Sequence, residues 1–316
     1  MDSGRFAARI AFAGATRPWL PPKIGGELGM APDSSLSTIE TNPNKAEAPP
    51  RCKFRIRFRK AGDLRLVSHH DLMHVCERMF RRADLSVPVT QGFNPRPKMW
   101  FASAMALGIA GLNEILELEL SQPLAAEEVH RRLATQVPPG MEILGVRAID
   151  VKTAARVRRA LYRLPLSLTP GPSAKGTTKM AIDALRQSSE GFLQRNECWV
   201  ERMRPHPRRI NIRPFVHELH VNDKSLDMAL WITSNGAARP EEVIAALGLT
   251  ELLDNGAVIE RTDLEVYDEL PPGTQGPPLI QSAVEEISAN DKGVLEETPI
   301  SSRPRAIISN PMSFDS

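Results

Sequence analysis

The distribution of apolar residues in this 316-residue chain predicts an α+β fold. Runs of period 2 alternate with runs of period 3.6, and they do so in the order β-α-β-β-α-β twice over. A change of composition at each end frames these two passes. Residues 1–50 and 271–316 mix Pro, Gly, Ser, Thr and Asn without apolar periodicity, so both read as disordered tails around ordered units at 51–150 and 151–270.

The first unit opens with Phe54, Ile56 and Phe58 alternating with Arg55, Arg57 and Arg59, a half-buried strand with a basic outer face. Ser68, three residues before Asp71, caps a helix. Along that helix Leu72, Val75, Cys76, Met79 and Phe80 make one apolar face, and His74, Arg78, Arg81 and Arg82 lie off it. Strands are expected at 87–90, 99–105 and 114–120, with a loop at 91–98 between the first two. A helix at 127–135 is stopped by Pro138-Pro139-Gly140, and a strand at 142–149 closes the unit. The second unit reads as a strand at 162–168, a helix at 179–188, irregular or paired strands at 198–203 and 210–221, a strand at 226–233, a helix at 240–247 and a last strand at 258–266. This is the order of the split-βαβ sandwich, so the expected architecture is two tandem ferredoxin-like domains.

At 41% hydrophobic content the chain can fill two small cores, and at 5% aromatic it has few rings for base stacking. Cys52, Cys76 and Cys198 are odd in number and form no CxxC, which argues against the usual structural zinc or self-contained iron–sulfur motif. No metal or cofactor is expected, and the composition suits a reducing cytoplasm. No window reaches the ~18 apolar residues of a membrane span. Residues 5–14 resemble a leader only faintly, since Arg9 breaks the apolar run, and Met30 is an alternative start. The net charge of +2 hides strong polarity: residues 51–100 hold twelve Lys/Arg against four Asp/Glu, and residues 251–316 hold thirteen acidic against four basic. The acidic end is either a solvating tail or a competitor for the basic surface.

Three groups of residues invite a chemical reading. Gln91-Gly92-Phe93-Asn94-Pro95-Arg96-Pro97-Lys98 is stiffened by its prolines and suits either a phosphate ligand, held by Asn94, Arg96 and Lys98, or a plain hairpin connection. His69, His70 and His74 have the spacing of structural helix residues, of an acid/base group or of an incomplete metal set. Arg202, Arg204, His206, Arg208 and Arg209, with Arg156, Arg158, Arg159 and Arg163 before them, are either solvated charge or one wall of a nucleic-acid cleft, and Arg213 beside Pro214 is a fixed phosphate contact or an interface anchor.

The runs FRIRFRKAGDLRLVSHHDLMHVCERMFRRADL, QGFNPRPKMWFASAMALGI, NIRPFVHEL and ARPEEVIAALGL resemble the radical-SAM-associated family known as domain of unknown function 2344, over about residues 52–268. Ser68, His69, Asp71 and Leu72 match one signature of that family, and Gln91, Gly92, Phe93, Asn94, Pro95, Pro97 and Lys98 match the other. His70 stands where an apolar residue is more usual. The resemblance implies a partner, a radical-SAM protein, and no established reaction.

The leading expectation is a non-catalytic RNA-binding or substrate-presenting partner of a radical-SAM enzyme in tRNA or rRNA modification. Binding would run through Ser68, His69, Asp71, Gln91, Asn94, Arg96, Lys98, Arg208, Arg209 and Arg213. One alternative is a metal-independent endoribonuclease like the CRISPR repeat-processing enzymes, with His69 and Lys98 as its acid/base pair. A scaffold that docks a radical-SAM protein is the other.

Overall fold

The computed structural model describes residues 51–166, 175–278, 280 and 283–286, so the expected tail at 1–50 and most of that at 271–316 lie outside the described residues. The first half of the chain contains β1 (Cys52–Lys60), α1 (His69–Arg82), β2 (Met99–Phe101), β3 (Ala110–Leu120), α2 (Ala126–Ala134) and β4 (Met141–Ile149). The second contains β5 (Val157–Pro165), α3 (Lys175–Gln194), β6 (Trp199–Arg202), β7 (Arg208–Asn211), β8 (Val216–Val221), β9 (Ser225–Thr233), β10 (Gly236–Ala237), α4 (Pro240–Ala246), α5 (Thr250–Asp254) and β11 (Glu260–Val266). A last strand, β12 (Val284–Glu286), follows.

The fold is α+β, with one large and mostly antiparallel sheet. Its nine strands run β10-β9-β5-β11-β3-β1-β4, with β2 also on β3 and β8 also on β9. In the first half β4, β1, β3 and β2 are successive antiparallel neighbours, and in the second β8, β9, β5 and β11 are. The halves meet where Glu260 and Arg261 pair in parallel with Ala110 and Gly111. Two apolar clusters form under this shared sheet. One joins Phe54, Ile56 and Phe58 of β1 to Leu72, Cys76, Met79 and Phe80 of α1, and the other centres on Leu164, Phe215, Leu226, Leu230, Val243 and Leu264. Burial of each such side chain stabilises the fold by about 1.5–3 kcal/mol.

Four expectations need correction. The strand at 87–90 is reduced to a single bridge between Val89 and Pro97, because Pro88 has no N–H for a ladder. The strand expected at 162–168 begins five residues earlier. Arg158 is buried at 6% exposure in register with Ala160, Tyr162 and Leu164, and a charged residue on the inward side hides the alternation. The tail expected from 271 onward includes β12, which pairs with β7.

The fourth correction concerns charge. Most of the basic face of β1 does not meet water: Arg55 is 2% exposed and Lys53 6%. A 3₁₀ turn, Tyr267–Glu269, follows β11 and lies across that face. Arg55 reaches Glu117, Asp268 and Glu269, each at 2.8 Å. Arg57 reaches Asp263 at 3.0 Å and Glu269 at 2.5 Å, and Arg147 reaches Glu269 at 2.8 Å. Arg59 is the one member of the expected arginine row left exposed.

Candidate functional site

The first signature builds the start of α1. Ser68 Oγ accepts the Asp71 amide at 3.2 Å and donates to Asp71 Oδ2 at 2.6 Å, so both side chains serve the N-cap. His69, next along, packs its ring edge-on against Phe101, centroids 5.1 Å apart. Burial lowers its pKa, and the charges of Lys60, His70 and Arg261 lower it further. A neutral imidazole is the form this corner favours. Lys60 lies in the same field; burial depresses its ammonium despite Glu114, and it donates to the carbonyl of Val67 at 2.9 Å.

The second signature is a rigid hairpin. The Thr90 amide donates to the Arg96 carbonyl at 2.8 Å, the Arg96 amide to Thr90 Oγ1 at 3.0 Å, and the Lys98 amide to the Pro88 carbonyl at 2.8 Å. Gly92 turns the tip at φ +136°, a conformation costly for other residues. Gln91, Asn94 and Arg96 are exposed there, and Phe93 projects fully into solvent. Lys98 instead folds back onto Glu119, Nζ to Oε2 3.1 Å.

His69 and Lys98 are therefore not a pair. Phe101, against which His69 rests, also meets Phe58 in the helix-side core at 5.9 Å. Lys98 lies in a bend just before β2 and bonds to Glu119, which stands on β3 with Glu117 on the face opposite the core residues Leu116 and Leu118 and which shares that face with Lys53. Side chains an odd number apart point to opposite faces of a sheet, so the two groups named for acid/base chemistry do not converge.

The outer face of α1 presents what β1 does not. His70, His74, Arg78, Arg81 and Arg82 are all exposed and fall within roughly a third of the helix circumference, over about 18 Å. Two acids share this side of the helix, Asp71 within the arc and Glu77 at its edge. Asp71 is held by the cap, and Glu77 bonds His74 at 3.2 Å. On α2, by contrast, Glu128 binds both Arg131 and Arg132 at 2.7 Å, and those bonds bring its pKa down to about 2. The sequence shows the α1 arginines off the apolar face. It offers no sign that they, rather than Arg55 and Arg57, have no carboxylate partner among the described residues.

In the second half four members of the expected basic block are neutralised. Glu265 holds Arg158 and Arg159, Asp227 holds Arg163, and Glu242 holds Arg202. Arg208 and Arg209 are neighbours on β7 and so point to opposite faces. Arg209 lies 5.7 Å from the Trp199 ring, while Arg208 Nε is buried without a hydrogen-bond partner. Arg213 sits in a 3₁₀ turn ahead of β8 and lines a cleft with His217, from the same NIRPFVHEL run, and with Arg195, which no local motif marks. Among the described residues no group of His, Cys, Asp and Glu is placed to hold a metal, and no helix is long and apolar enough to cross a membrane. Cys76 is buried in the first core, where burial, with Glu77 adding, pushes its thiol up to about 12.

Both signatures lie inside residues 53–240, which match a family described as an uncharacterised protein conserved in bacteria, DUF2344. The chain belongs to the DUF2344 family. The match to DUF2344 ends at the first residue of α4, so β11 and the acidic turn over β1 lie beyond it. No curated protein matches. A solved structure of an unknown protein from Galdieria sulphuraria is similar over 69% of this chain and 99% of its own, at 13% identity and a TM-score of 0.21, too low to establish a shared fold.

Proposed function

We propose that this DUF2344 member is a non-catalytic RNA-binding protein that presents tRNA or rRNA to a radical-SAM enzyme, with each half of its sheet acting as a ferredoxin-like unit. The observation that carries the reading is the exposed row His70, His74, Arg78, Arg81 and Arg82 on α1, set against a β1 whose cations are consumed by Glu117, Asp268 and Glu269. A rigid helix presenting three guanidinium groups that have no carboxylate partner among the described residues meets the phosphate backbone at fixed spacing, and its ordering entropy is already spent in the fold.

Fluorescence anisotropy with total tRNA tests this. Affinity is expected to fall steeply, by about tenfold or more, between ~50 and ~200 mM salt, because phosphate contacts release counterions. Replacing Arg78, Arg81 and Arg82 together by Ala should remove most of the binding and flatten the salt slope. Absence of binding at low salt, or binding indifferent to salt, would sink the proposal. A second reading, docking of a protein partner, is favoured by Phe93, a fully exposed aromatic on a braced hairpin. Loss of co-purification of a co-expressed radical-SAM protein on Phe93→Ser, with tRNA affinity unchanged, would support it.

A further inference from the structure

Away from α1, the second half contains a cleft of roughly 750 Å³ lined by Arg195, Asn196, Arg213, Pro214, Val216, His217 and Trp231 on one side and by Gln275, Gly276 and Pro278 on the other. Among the described residues no carboxylate lines it. That volume lies in the range of small-ligand sites. We propose that it binds a phosphate-bearing anion, with Arg195, Arg213 and His217 as its contacts.

The walls are built rather than incidental. Arg158 donates from Nε to the Gln275 carbonyl at 2.7 Å and from Nη1 to Glu265 at 2.9 Å, which ties the 275–278 segment to the sheet. The same guanidinium lies 4.6 Å from the ring of Trp231, itself 4% exposed, and the His217 ring stands 4.6 Å from that indole. His217 is thus set on a fixed platform at the cleft.

Arg213 is the residue that ordinary stability does not explain. Its Nη1 donates to the Val216 carbonyl at 2.9 Å and its Nη2 to the Leu193 carbonyl, but Nε is buried without a hydrogen-bond partner. It has no carboxylate partner among the described residues, and burial alone lowers its pKa. Two carbonyls hold this half-buried guanidinium but do not neutralise it, and an anion in the cleft that Arg213 lines would supply the counter-charge. Arg213 and Arg195 each stand 6.0 Å from the Phe192 ring, and both line the cleft. The acids nearest His217 do not supply the missing charge to the cleft: Glu265 is committed to Arg158 and Arg159, and Glu218 is absent from the lining. A phosphate group has the charge and the three acceptor oxygens to meet Arg195, Arg213 and His217 together.

This site stands apart from the α1 row, so the two succeed or fail separately. The probes are inorganic phosphate and pyrophosphate, titrated calorimetrically into the full chain at low salt. Binding is expected, weakened about tenfold or more by Arg195→Ala and by His217→Ala, whose side chains are exposed enough to leave the urea unfolding curve in place. No heat with either anion at millimolar concentration, or binding that both variants retain, would overturn the site. A tRNA arm identifies the source of the phosphate. If pyrophosphate displaces tRNA and Arg195→Ala weakens both, the ligand is an RNA phosphate. If the Arg78, Arg81 and Arg82 variant loses tRNA but keeps pyrophosphate, it is a small phosphorylated molecule. Failure of tRNA binding alone would remove the RNA function and leave the cleft standing.

Discussion

Arg55 shows how a single side chain can reverse a sequence-based reading. In alternation with Phe54 and Ile56 it should face water, yet it is nearly fully buried and bonded to three carboxylates. A buried ion cluster is costly to break because the surviving partner stays desolvated. Glu117→Ala strips Arg55 and Lys53 of a shared carboxylate and should cost about 3 kcal/mol, read from urea unfolding. Glu269 adds a pH signature. Burial pushes its carboxyl up, but the attraction of Arg57 and hydrogen bonds from Arg55 and Arg57 outweigh burial and hold it below the ordinary 4.5. Between pH 4.5 and that lower value the unfolded chain takes up the proton and the native chain does not. The stabilisation is therefore complete above this window and is lost as pH falls through it. Asp263, raised by burial despite Arg57, pulls the opposite way, so the comparison that isolates Glu269 is wild type against Glu269→Gln. The variant's stability should decline less steeply with acid below pH 4.5.

Among the elements, the amphipathic face of α1 and its Ser68 cap were legible because a helix writes its burial within four residues of itself. The hairpin at 90–98 was legible as a stiff loop, though its display of Phe93 was not. The junction before β4 depends on one glycine. Gly140 has φ +84°, and a Cβ there would stand 2.5 Å from the Ala61 carbonyl oxygen, which faces the same turn through the Ala61 amide bond to Gly140 at 2.8 Å. Gly140→Ala should therefore lower stability by about 2 kcal/mol, measured by urea unfolding, and the slope against denaturant should not change. A neutral result would mean that the 138–140 turn moves freely relative to β1.

Across the whole molecule, the two halves share a sheet and a buried bond. Arg261 of β11 is 2% exposed and meets Glu114 of β3 at 2.5 and 2.7 Å, with Ser103 and the Ala104 carbonyl completing its donors. Gly111 lies where a Cβ would fall 2.5 Å from the Glu114 side chain, so the parallel contact of β3 with β11 is closed tightly around this pair. The wild-type chain should unfold in a single transition when Trp100 in the first half and Trp199 and Trp231 in the second are followed separately. Glu114→Ala should lower stability by about 3–5 kcal/mol and split those signals into two transitions. Coincident curves in the variant would show that the shared sheet alone couples the halves.

By itself the sequence determined the mixed α+β class, the apolar faces, the cap of α1, the rigid loop and the family, since each of these rests on residues a few positions apart. Which cations stay free was decided only by the tertiary structure. Arg55 finds Asp268 across 213 positions of chain, and Arg261 finds Glu114 across 147. A charge taken out of water must be met by another charge or by several hydrogen bonds, and long-range folding chooses that partner. It consumed most cations of the basic strand and left exposed the outer row of α1 and, among the described residues, a cleft around Arg213 that no carboxylate lines.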